Sequence, residues 1–424
     1  MRSVAVIGAS LSGLRSAEAL RANGFDGRLT LIGEEFHRPY DRPPLSKGVL
    51  LGTVDPAGLA LSEPDEVDAL AADWRLGVRA VRLDTSSCRI ELSDGSAVAA
   101  DGVVIATGGT PRTLPGTDDI AGVCTLRTVE DAAALRERLL AGPEHVVVIG
   151  AGFLGAEVAA SARALGLAVT VVEALDVPLR GAVGPVMGAV CGHLHADHGV
   201  TLICGHGVAG VDSRPDPHGR RVRAVLLDDG RELPADVVVV AIGMRPATGW
   251  LAGSGVDVDD GVRTDGGWCT SVPGVVAVGD VARHSCGGRT VRHEHWTNAA
   301  EQPAIAVANL LTGRHTGHCA GSGYFWSDQY GVRIQFAGSI HGHDEVRVVE
   351  GSVDDRRFLA TYQRDGRTTG VLSMDMPRAF VRASRSLART TEEDNSCPNC
   401  SLAVPGATPG TAVGATSSIT STRA

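Results

Sequence analysis

The stretch that decides the fold is VAVIGASLSGLRSAEALRANG, which runs from Val4 to Gly24. It consists of an apolar strand, a tight glycine turn and an alanine-rich helix. The same pattern returns as VVVIGAGFLGAEVAASARALG from Val146 to Gly166, 142 residues further along the chain. Each copy leads into a second strand, and strands that are apolar throughout are typical of a parallel sheet covered on both faces. The repeat therefore predicts two related α/β domains in one chain.

Both glycine turns match the dinucleotide-binding fingerprint GxGxxG, which needs a strand before it and a helix after it. Its first glycine permits the turn, its second lets the pyrophosphate approach the backbone, and its third packs the helix against the strand. Serine takes the middle position of the first copy, where it hinders close approach without blocking it. An acidic residue follows each turn by about 20 positions, and its carboxylate is expected to bind ribose hydroxyls. The predicted residues are Gly8, Ser10, Gly13 and Glu34 in the first copy, and Gly150, Gly152, Gly155 and Glu173 in the second.

Two dinucleotide sites in one chain indicate one flavin that is held tightly and one nicotinamide that comes and goes. Glu173 favours NADH, because a carboxylate at this position would repel the 2′-phosphate of NADPH. The nearest following arginine that could accommodate that phosphate is Arg180. Two further apolar strands end at Thr107–Gly108 and before Gly243, and these three residues are added to the predicted cofactor contacts.

Composition and charge narrow the class of protein. No apolar run in the 424 residues reaches the ~18 residues of a membrane span, and the chain opens on a strand, so we expect neither a membrane segment nor a signal peptide. The nine cysteines are scattered and odd in number, which favours a reducing cytoplasm over a disulfide scaffold. The net charge of −10 argues against nucleic acid as a partner. Lys47 is the sole lysine among 39 basic residues, which makes it a candidate functional residue unless codon usage alone explains the arginines.

Strand and turn patterns also predict the domain organisation. A hairpin is expected between Asp212 and Glu232, and short alternating strands begin at Tyr324. The end of the chain is rich in Ser, Thr, Gly, Pro and Ala and is expected to be disordered. The predicted ranges are a first dinucleotide-binding domain in two segments, 1–109 and 246–318, a second such domain at 110–245, a small α+β domain at 319–390, and a tail at 391–424.

Six ordered motifs make the chain resemble the flavoprotein ferredoxin reductases of bacterial oxygenase and cytochrome P450 systems. The resemblance implies an α/β fold of the glutathione-reductase type, with two Rossmann-like dinucleotide-binding domains and a small C-terminal α+β domain. It extends over roughly residues 1 to 385. The motifs are RPYDRPPLSK from Arg38 to Lys47, LRTVED from Leu126 to Asp131, Gly150 to Glu157, AVGD from Ala277 to Asp280, EHWTNA from Glu294 to Ala299, and FWSDQY from Phe325 to Tyr330.

The resemblance also implies roles for individual residues. Lys47 would lie beside flavin N5 and pair with Glu157, Arg127 would neutralise the pyrophosphate, Asp280 would bind a ribityl hydroxyl, and Trp326 would close the flavin site. NADH would deliver a hydride to flavin N5, and the electrons would leave singly to an iron–sulfur ferredoxin, expected to be of the 2Fe–2S type, that serves an oxygenase or P450. The residues that match the family's FAD contacts are Ser12, Glu34, Lys47, Ala80, Arg127, Asp280 and Trp296.

Two alternative functions stay open at this point. A disulfide reductase of the same fold would need a redox cysteine after the first βαβ unit, but no cysteine occurs from Met1 to Ser87. Cys397 and Cys400 form a CxxC pair in the tail, which is a chance pair, half a metal site or a mobile redox shuttle. The other alternative is a flavin-bearing interaction protein without preference for an electron acceptor.

A metal site is a further candidate on one predicted helix. Cys191, His193, His195 and His198 lie close together in the sequence, with His195 one helical turn after Cys191. Histidines scattered over a helix surface explain this pattern better, and no metal is predicted.

Overall fold

The computed structural model describes residues 1–217, 219–286, 289–313, 323–341 and 344–394. Within these residues the fold consists of two parallel α/β sheets followed by an antiparallel sheet that carries a helix. This is the predicted fold class. No helix in the described ranges is long and apolar enough to cross a membrane.

The first segment of the chain builds the first parallel sheet. Strand β1 lies in the middle of this sheet because all but its first residue are buried, between β2 and β7. The elements are β1 Ser3–Ile7, α1 Leu11–Ala22, β2 Arg28–Gly33, α2 Gly48–Leu51, α3 Pro64–Ala69, β3 Ala72–Leu76, β4 Ala80–Asp84, β5 Arg89–Leu92, β6 Ala97–Ala99, β7 Gly102–Ile105 and β8 Gly109–Pro111, with 3₁₀ turns at Pro43–Ser46 and Pro56–Leu59.

The middle of the chain repeats this arrangement. Strand β11 takes the place that β1 has in the first sheet, and the order is β10-β17-β11-β12-β13. The predicted hairpin is confirmed as β14 and β15, which pair antiparallel. The elements are β9 Ile120–Ala121, β10 Val123–Cys124, α4 Val129–Leu140, β11 His145–Ile149, α5 Phe153–Ala164, β12 Ala168–Glu173, α6 Arg180–Asp197, β13 Thr201–Cys204, β14 Val208–Asp216, β15 Gly219–Leu227, β16 Glu232–Pro234 and β17 Val237–Val240.

The chain then returns to the first sheet. Strand β18 pairs antiparallel with β8, so the chain leaves the first unit and re-enters it through one two-stranded ribbon. Strand β20 completes the first sheet, whose order is β20-β7-β1-β2-β3. The elements are β18 Met244–Pro246, β19 Val262–Thr264, β20 Val275–Ala277, β21 Ala282–Cys286, β22 Arg289–Val291 and α7 Trp296–Thr312, with 3₁₀ turns at Gly249–Leu251 and Gly279–Val281.

The last described segment is a five-stranded antiparallel sheet packed against two helices. Its apolar face buries Phe358 and Tyr362 against α6 of the middle unit, and the Tyr362 hydroxyl donates to the carbonyl of Val183 over 2.7 Å. The elements are β23 Phe325–Gln329, β24 Val332–Gly338, β25 Glu345–Ser352, β26 Arg357–Arg364, β27 Arg367–Met374 and α8 Pro377–Asp394.

Helix α8 runs to Asp394, a few residues past position 391, where the sequence predicts the tail to begin. Near its start, Phe380 packs against the sheet. Residues 395–424, which include Cys397 and Cys400, lie outside the described residues.

Candidate functional site

A cavity of about 480 Å³ lies where the two parallel sheets and the C-terminal sheet meet. Its walls come from the glycine turns of both repeats, from the segment after β2, and from the start of β23. Residues of three separate units therefore converge on one space. The predicted site residues that line it are Ser10, Ser12, Lys47, Gly108, Arg127, Gly152, Glu157, Gly243, Asp280, Trp296 and Trp326.

The other predicted site residues do not line this cavity. Ala80 is the first residue of β4, is 5% exposed and belongs to the hydrophobic core. The Thr107 hydroxyl donates to the carbonyl of Ala247 over 2.9 Å and so joins the two segments of the first unit. The remaining predicted residues are Gly8, Gly13, Gly150, Gly155, Glu34 and Glu173.

Most glycines of the two turns are packed too closely for a side chain, but one of them faces free space. Gly8 has a φ of +117°, and a Cβ there would lie 2.1 Å from the carbonyl oxygen of Ala106. Backbone contacts exclude a side chain equally at Gly13, Gly150 and Gly155. A Cβ built at Gly152 would meet no described atom within 4 Å, so this residue leaves free space at the start of α5. This free space is the cradle that the middle glycine of the fingerprint is predicted to provide.

The two predicted ribose carboxylates occupy different places. Glu173 is the last residue of β12, and its carboxylate accepts hydrogen bonds from the N–H groups of Ala151, over 2.7 Å, and Leu175, over 2.9 Å. The corresponding last residue of β2 is Gly33, where a Cβ would lie 2.6 Å from the Cβ of Ala9. Glu34 follows one position later and is exposed. These surroundings support a ribose role for Glu173 more strongly than for Glu34.

Two arginines form a positively charged wall of the cavity. Arg42 donates to the backbone carbonyl of Arg127 over 2.7 Å and to Ser10 Oγ over 3.3 Å. Burial and the neighbouring Arg42 lower the pKa of Arg127, while the Asp280 carboxylate, 3.5 Å away, opposes this shift. Arg42 also binds the carboxylate of Glu35 over 2.5 Å. Two partly buried guanidiniums beside a glycine turn provide the charge and the donors that a pyrophosphate would require.

Lys47 and Glu157, which both line the cavity, form an ion pair. Lys47 Nζ lies 2.6 Å from Glu157 Oε2, and the carboxylate side chain is 8% exposed. Glu157 is one turn into α5, the helix that begins after Gly152. Lys47 follows the rigid 3₁₀ turn Pro43–Ser46, whose two prolines limit the backbone before it. The sequence-based pairing of these two residues is present in the structure.

Aromatic side chains line another part of the cavity. Trp296 donates from its indole N–H to Asp41 Oδ1 over 2.8 Å, and its ring lies edge-on to Trp326 at 6.1 Å. Burial raises the pKa of Asp41, and the Trp296 hydrogen bond and Lys47 oppose this rise. His295 lines the cavity beside Phe325, and burial lowers its pKa to about 4, so it is neutral at pH 7.

Several lining residues were not assigned by the sequence. Arg42, Asp41 and Ser46 all lie in the quoted motif RPYDRPPLSK, so this motif carried a usable signal for them. His295 lies in the motif EHWTNA, which also contains Trp296. Tyr40 lines the cavity too, and its hydroxyl contacts Glu35. These residues make contacts with elements that are far apart in the chain. The spacing of residues along a single element does not reveal such contacts.

The cysteine and histidines of the candidate metal site on α6 are only partly on the helix surface, where the sequence predicts the histidines to lie. His193 and His198 are exposed, but His195 is 1% exposed, so the expectation of a surface histidine is wrong there. Its Nδ1 lies 2.7 Å from the hydroxyl of Tyr330, which comes from the C-terminal sheet. His195 therefore connects two units of the fold.

The residues of the cavity fit a flavin dinucleotide. Arg42 and Arg127 offer charge to a pyrophosphate, and Asp280 places a carboxylate on the same wall. Gly152 leaves space at the start of α5 for a second dinucleotide. Lys47 adds a further cation to the cavity lining.

Comparison with known proteins places the chain in a family. The pyridine nucleotide-disulphide oxidoreductase family matches residues 2–303, and the reductase C-terminal family matches residues 324–397. The ferredoxin reductase component of chlorobenzene dioxygenase from Cupriavidus sp. (strain PS12) is 40% identical over 90% of this chain and 91% of its own length. The ferredoxin–NAD(+) reductase subunit of the benzene 1,2-dioxygenase system from Pseudomonas putida is 38% identical over 90% of this chain and 91% of its own length.

A solved structure agrees with this assignment. The covalent complex of putidaredoxin reductase with putidaredoxin matches with a TM-score of 0.85 and 33% identity, over 91% of this chain and 93% of that one. The resemblance drawn from the six motifs is confirmed, and so is the predicted fold. The chain belongs to the pyridine nucleotide-disulphide oxidoreductase family and, within it, to the ferredoxin reductases.

Proposed function

We propose that the protein passes electrons from NADH through FAD to an iron–sulfur ferredoxin that serves an oxygenase or a cytochrome P450. The observation that carries the proposal is the Lys47–Glu157 pair, which lies in one cavity with the glycine turn of α5 and the arginine wall. The ferredoxin reductases of two dioxygenase systems cover nearly the whole chain and support the same reaction.

FAD would be held by residues of the first repeat and its neighbours. Arg127 and Arg42 would neutralise the pyrophosphate, Asp280 would bind a ribityl hydroxyl, and Lys47 would keep a positive charge near the reacting ring. When bound, FAD accepts a hydride from the nicotinamide and releases single electrons, which an iron–sulfur cluster requires. The polar residues of the cavity bind and orient, while Trp296 and Trp326 limit access of water.

NADH would bind at the second repeat. Gly152 leaves room for the pyrophosphate at the start of α5, and Glu173 would accept hydrogen bonds from the adenosine ribose. Arg180 is the nearest following cation, and it forms an ion pair with Asp176. This pairing leaves Arg180 less free to bind a 2′-phosphate, which supports NADH as the electron donor.

A disulfide reductase finds less support in the described residues. Cys88, Cys124, Cys191, Cys204 and Cys269 are free thiols, and none of them lines the cavity. Burial raises the pKa of Cys191 to about 12, so this thiol is a poor nucleophile. Free thiols fit the cytoplasm, which we propose as the location of the protein.

The test uses the purified full chain. We expect a yellow protein with one FAD per chain that reduces cytochrome c with NADH only when a ferredoxin is added. A folded protein that takes up no FAD would end the proposal. Slow NADH oxidation without any preference for an acceptor would instead favour a flavin-bearing interaction protein.

A further inference from the structure

Glu157 receives contacts from two other units of the fold. Its Oε2 lies 2.6 Å from both Lys47 Nζ and the hydroxyl of Ser46, which belong to the first unit. Its Oε1 accepts from the hydroxyl of Ser327 over 2.7 Å and from the N–H of Asp328 over 3.4 Å, both at the start of the C-terminal sheet. The two oxygens therefore bind to different units, and the carboxylate is fixed from both sides.

Ser327 is the stronger of the two donors to Oε1. Ser327 is completely buried, and its hydrogen bond is shorter than that of the Asp328 N–H to the same oxygen. Hydrogen bonds to a charged acceptor in a buried site are stronger than neutral ones. Ser327 is also the residue directly after Trp326, so the strand that brings the tryptophan to the cavity also brings this hydroxyl to Glu157.

The direction of the Lys47 ammonium depends on this carboxylate. Lysine has a flexible four-carbon stem, and its three donors rotate freely unless a partner fixes them. Glu157 is the acidic partner of Lys47, and Ser46 shares the same oxygen. Without the Ser327 hydroxyl, only the longer contact from the Asp328 N–H remains on Oε1. The carboxylate is then less restrained about its last bond, and its position relative to the ammonium becomes more variable.

We propose that Ser327 is a positioning residue for flavin reduction: its hydroxyl fixes the Glu157 carboxylate and, through it, the Lys47 ammonium. The proposal rests on the proposed function, because it assumes that Lys47 acts on a bound flavin. It assigns to the C-terminal sheet a part in the chemistry of the nicotinamide side of the site, in addition to any contact with a ferredoxin.

The chain offers a closely matched control. Ser373 lies in β27 of the same sheet and is also completely buried. Its hydroxyl has no hydrogen-bond partner among the described residues, and it does not contact Glu157. Ser373→Ala therefore removes the same atom from the same sheet without disturbing the carboxylate. Ser327→Thr keeps the hydroxyl and serves as the conservative variant that should restore function.

The first measurement follows Lys47 directly and does not depend on turnover. Because Lys47 is the only lysine, selective ¹³C labelling of lysine gives one side-chain signal in the holoenzyme. We expect Ser327→Ala to move this signal towards that of a mobile lysine, and Ser327→Thr and Ser373→Ala to leave it as in the wild type. An unchanged signal in Ser327→Ala would overturn the proposal.

The second measurement is the rate of flavin reduction by NADH in stopped flow. We expect Ser327→Ala to be slower by about tenfold, the size expected for one hydrogen bond to a charged group, at unchanged NADH affinity. Ser373→Ala should stay within about twofold. If Ser327→Ala does not fold, Ser327→Cys replaces it, since a thiol keeps the volume and is a weak donor.

The two proposals fail in different ways. If Lys47→Met leaves the reduction rate unchanged, Lys47 has no role in the proposed site and the function proposal loses its main support. If Lys47→Met slows reduction but Ser327→Ala does not, only the positioning role of Ser327 is wrong. If Ser327→Ala shifts the ¹³C signal of Lys47 but leaves the rate of flavin reduction unchanged, the positioning role of Ser327 is also wrong.

Discussion

Arg42 donates a hydrogen bond from its guanidinium to the backbone carbonyl of Arg127 over 2.7 Å. This contact holds two cations on one wall of the cavity, although their repulsion and burial lower the pKa of Arg127. A bound anion would relieve the repulsion. The arrangement is therefore suited to the pyrophosphate of the proposed FAD.

We predict that Arg127→Ala weakens FAD binding by about ten- to a hundredfold, because a partly buried charge-assisted contact is lost. The measurement is the dissociation constant of FAD, followed by recovery of flavin fluorescence. Arg75→Ala serves as the control, since Arg75 is an exposed arginine that pairs with Asp73. Equal FAD affinity in both variants would show that Arg127 does not bind the pyrophosphate.

Lys47→Met should keep FAD but slow its reduction by NADH. Methionine has a similar length and no charge, so the change removes the cation from the Glu157 pair and leaves a buried carboxylate without it. We expect a decrease of about tenfold or more in the stopped-flow rate. Lys47→Arg keeps the charge, so its reduction rate should lie between those of the wild type and of Lys47→Met. Unchanged rates would make Lys47 an ordinary surface residue.

The preference for NADH should depend on Glu173. Its carboxylate is held at the end of β12 by two backbone N–H groups, at the position where we propose that the adenosine ribose binds. We predict that the wild type favours NADH over NADPH by ~100-fold in kcat/KM. Glu173→Arg should narrow or reverse this ratio, while Glu144→Arg, an exposed change in the same unit, should not. Equal use of both cofactors by the wild type would contradict the assignment.

The cysteine pair of the tail provides a test of the redox-shuttle alternative. Residues 395–424 contain few large apolar side chains, and this composition cannot build a core of its own. We predict that Cys397→Ser combined with Cys400→Ser leaves the NADH-to-ferredoxin turnover within about twofold of the wild type. A collapse of turnover in the double variant would promote the shuttle.

Acid should destabilise the fold in part through His195. Burial and the nearby His198 lower the pKa of His195 to about 4, from an ordinary value of 6.5. The folded state holds this histidine neutral while the unfolded state charges it below pH 6.5, so its contribution to stability is present above pH 6.5 and is lost as the pH falls towards 4.

His195→Gln should therefore show a flatter dependence of stability on pH. Between about pH 7 and pH 5 we expect the wild type to lose on the order of 2 kcal/mol more than this variant. Urea unfolding at both pH values provides the measurement. His193→Gln, an exposed change on the same helix, should behave as the wild type does, and an equally steep loss in His195→Gln would disprove the assignment.

The sequence predicted the parts of the site that follow from local patterns. The glycine turns are recognisable because a strand, a turn and a helix follow each other directly, and Gly8 and Gly152 have the packing and the open space that the fingerprint implies. Lys47 was found by a different route, because it is the only lysine of the chain. Its pairing with Glu157 came from the family resemblance.

The contacts that cross between units could not be predicted in this way. Ser327 and Glu157 are 170 positions apart, and nothing in either motif shows that their side chains meet. The different surroundings of the two acidic residues were also hidden from the sequence. Glu173 is the last residue of β12, whereas β2 ends one position before Glu34, at Gly33, where a Cβ would lie 2.6 Å from the Cβ of Ala9.

The ribbon formed by β8 and β18 gives the middle unit the character of an insertion. The strand that leaves the first unit at Pro111 is hydrogen-bonded to the strand that re-enters it at Met244, so both ends of the inserted piece are side by side. Closely spaced ends are what domain insertion tolerates. The middle unit of a related enzyme could thus be exchanged for this one at a single seam, without cutting the first parallel sheet.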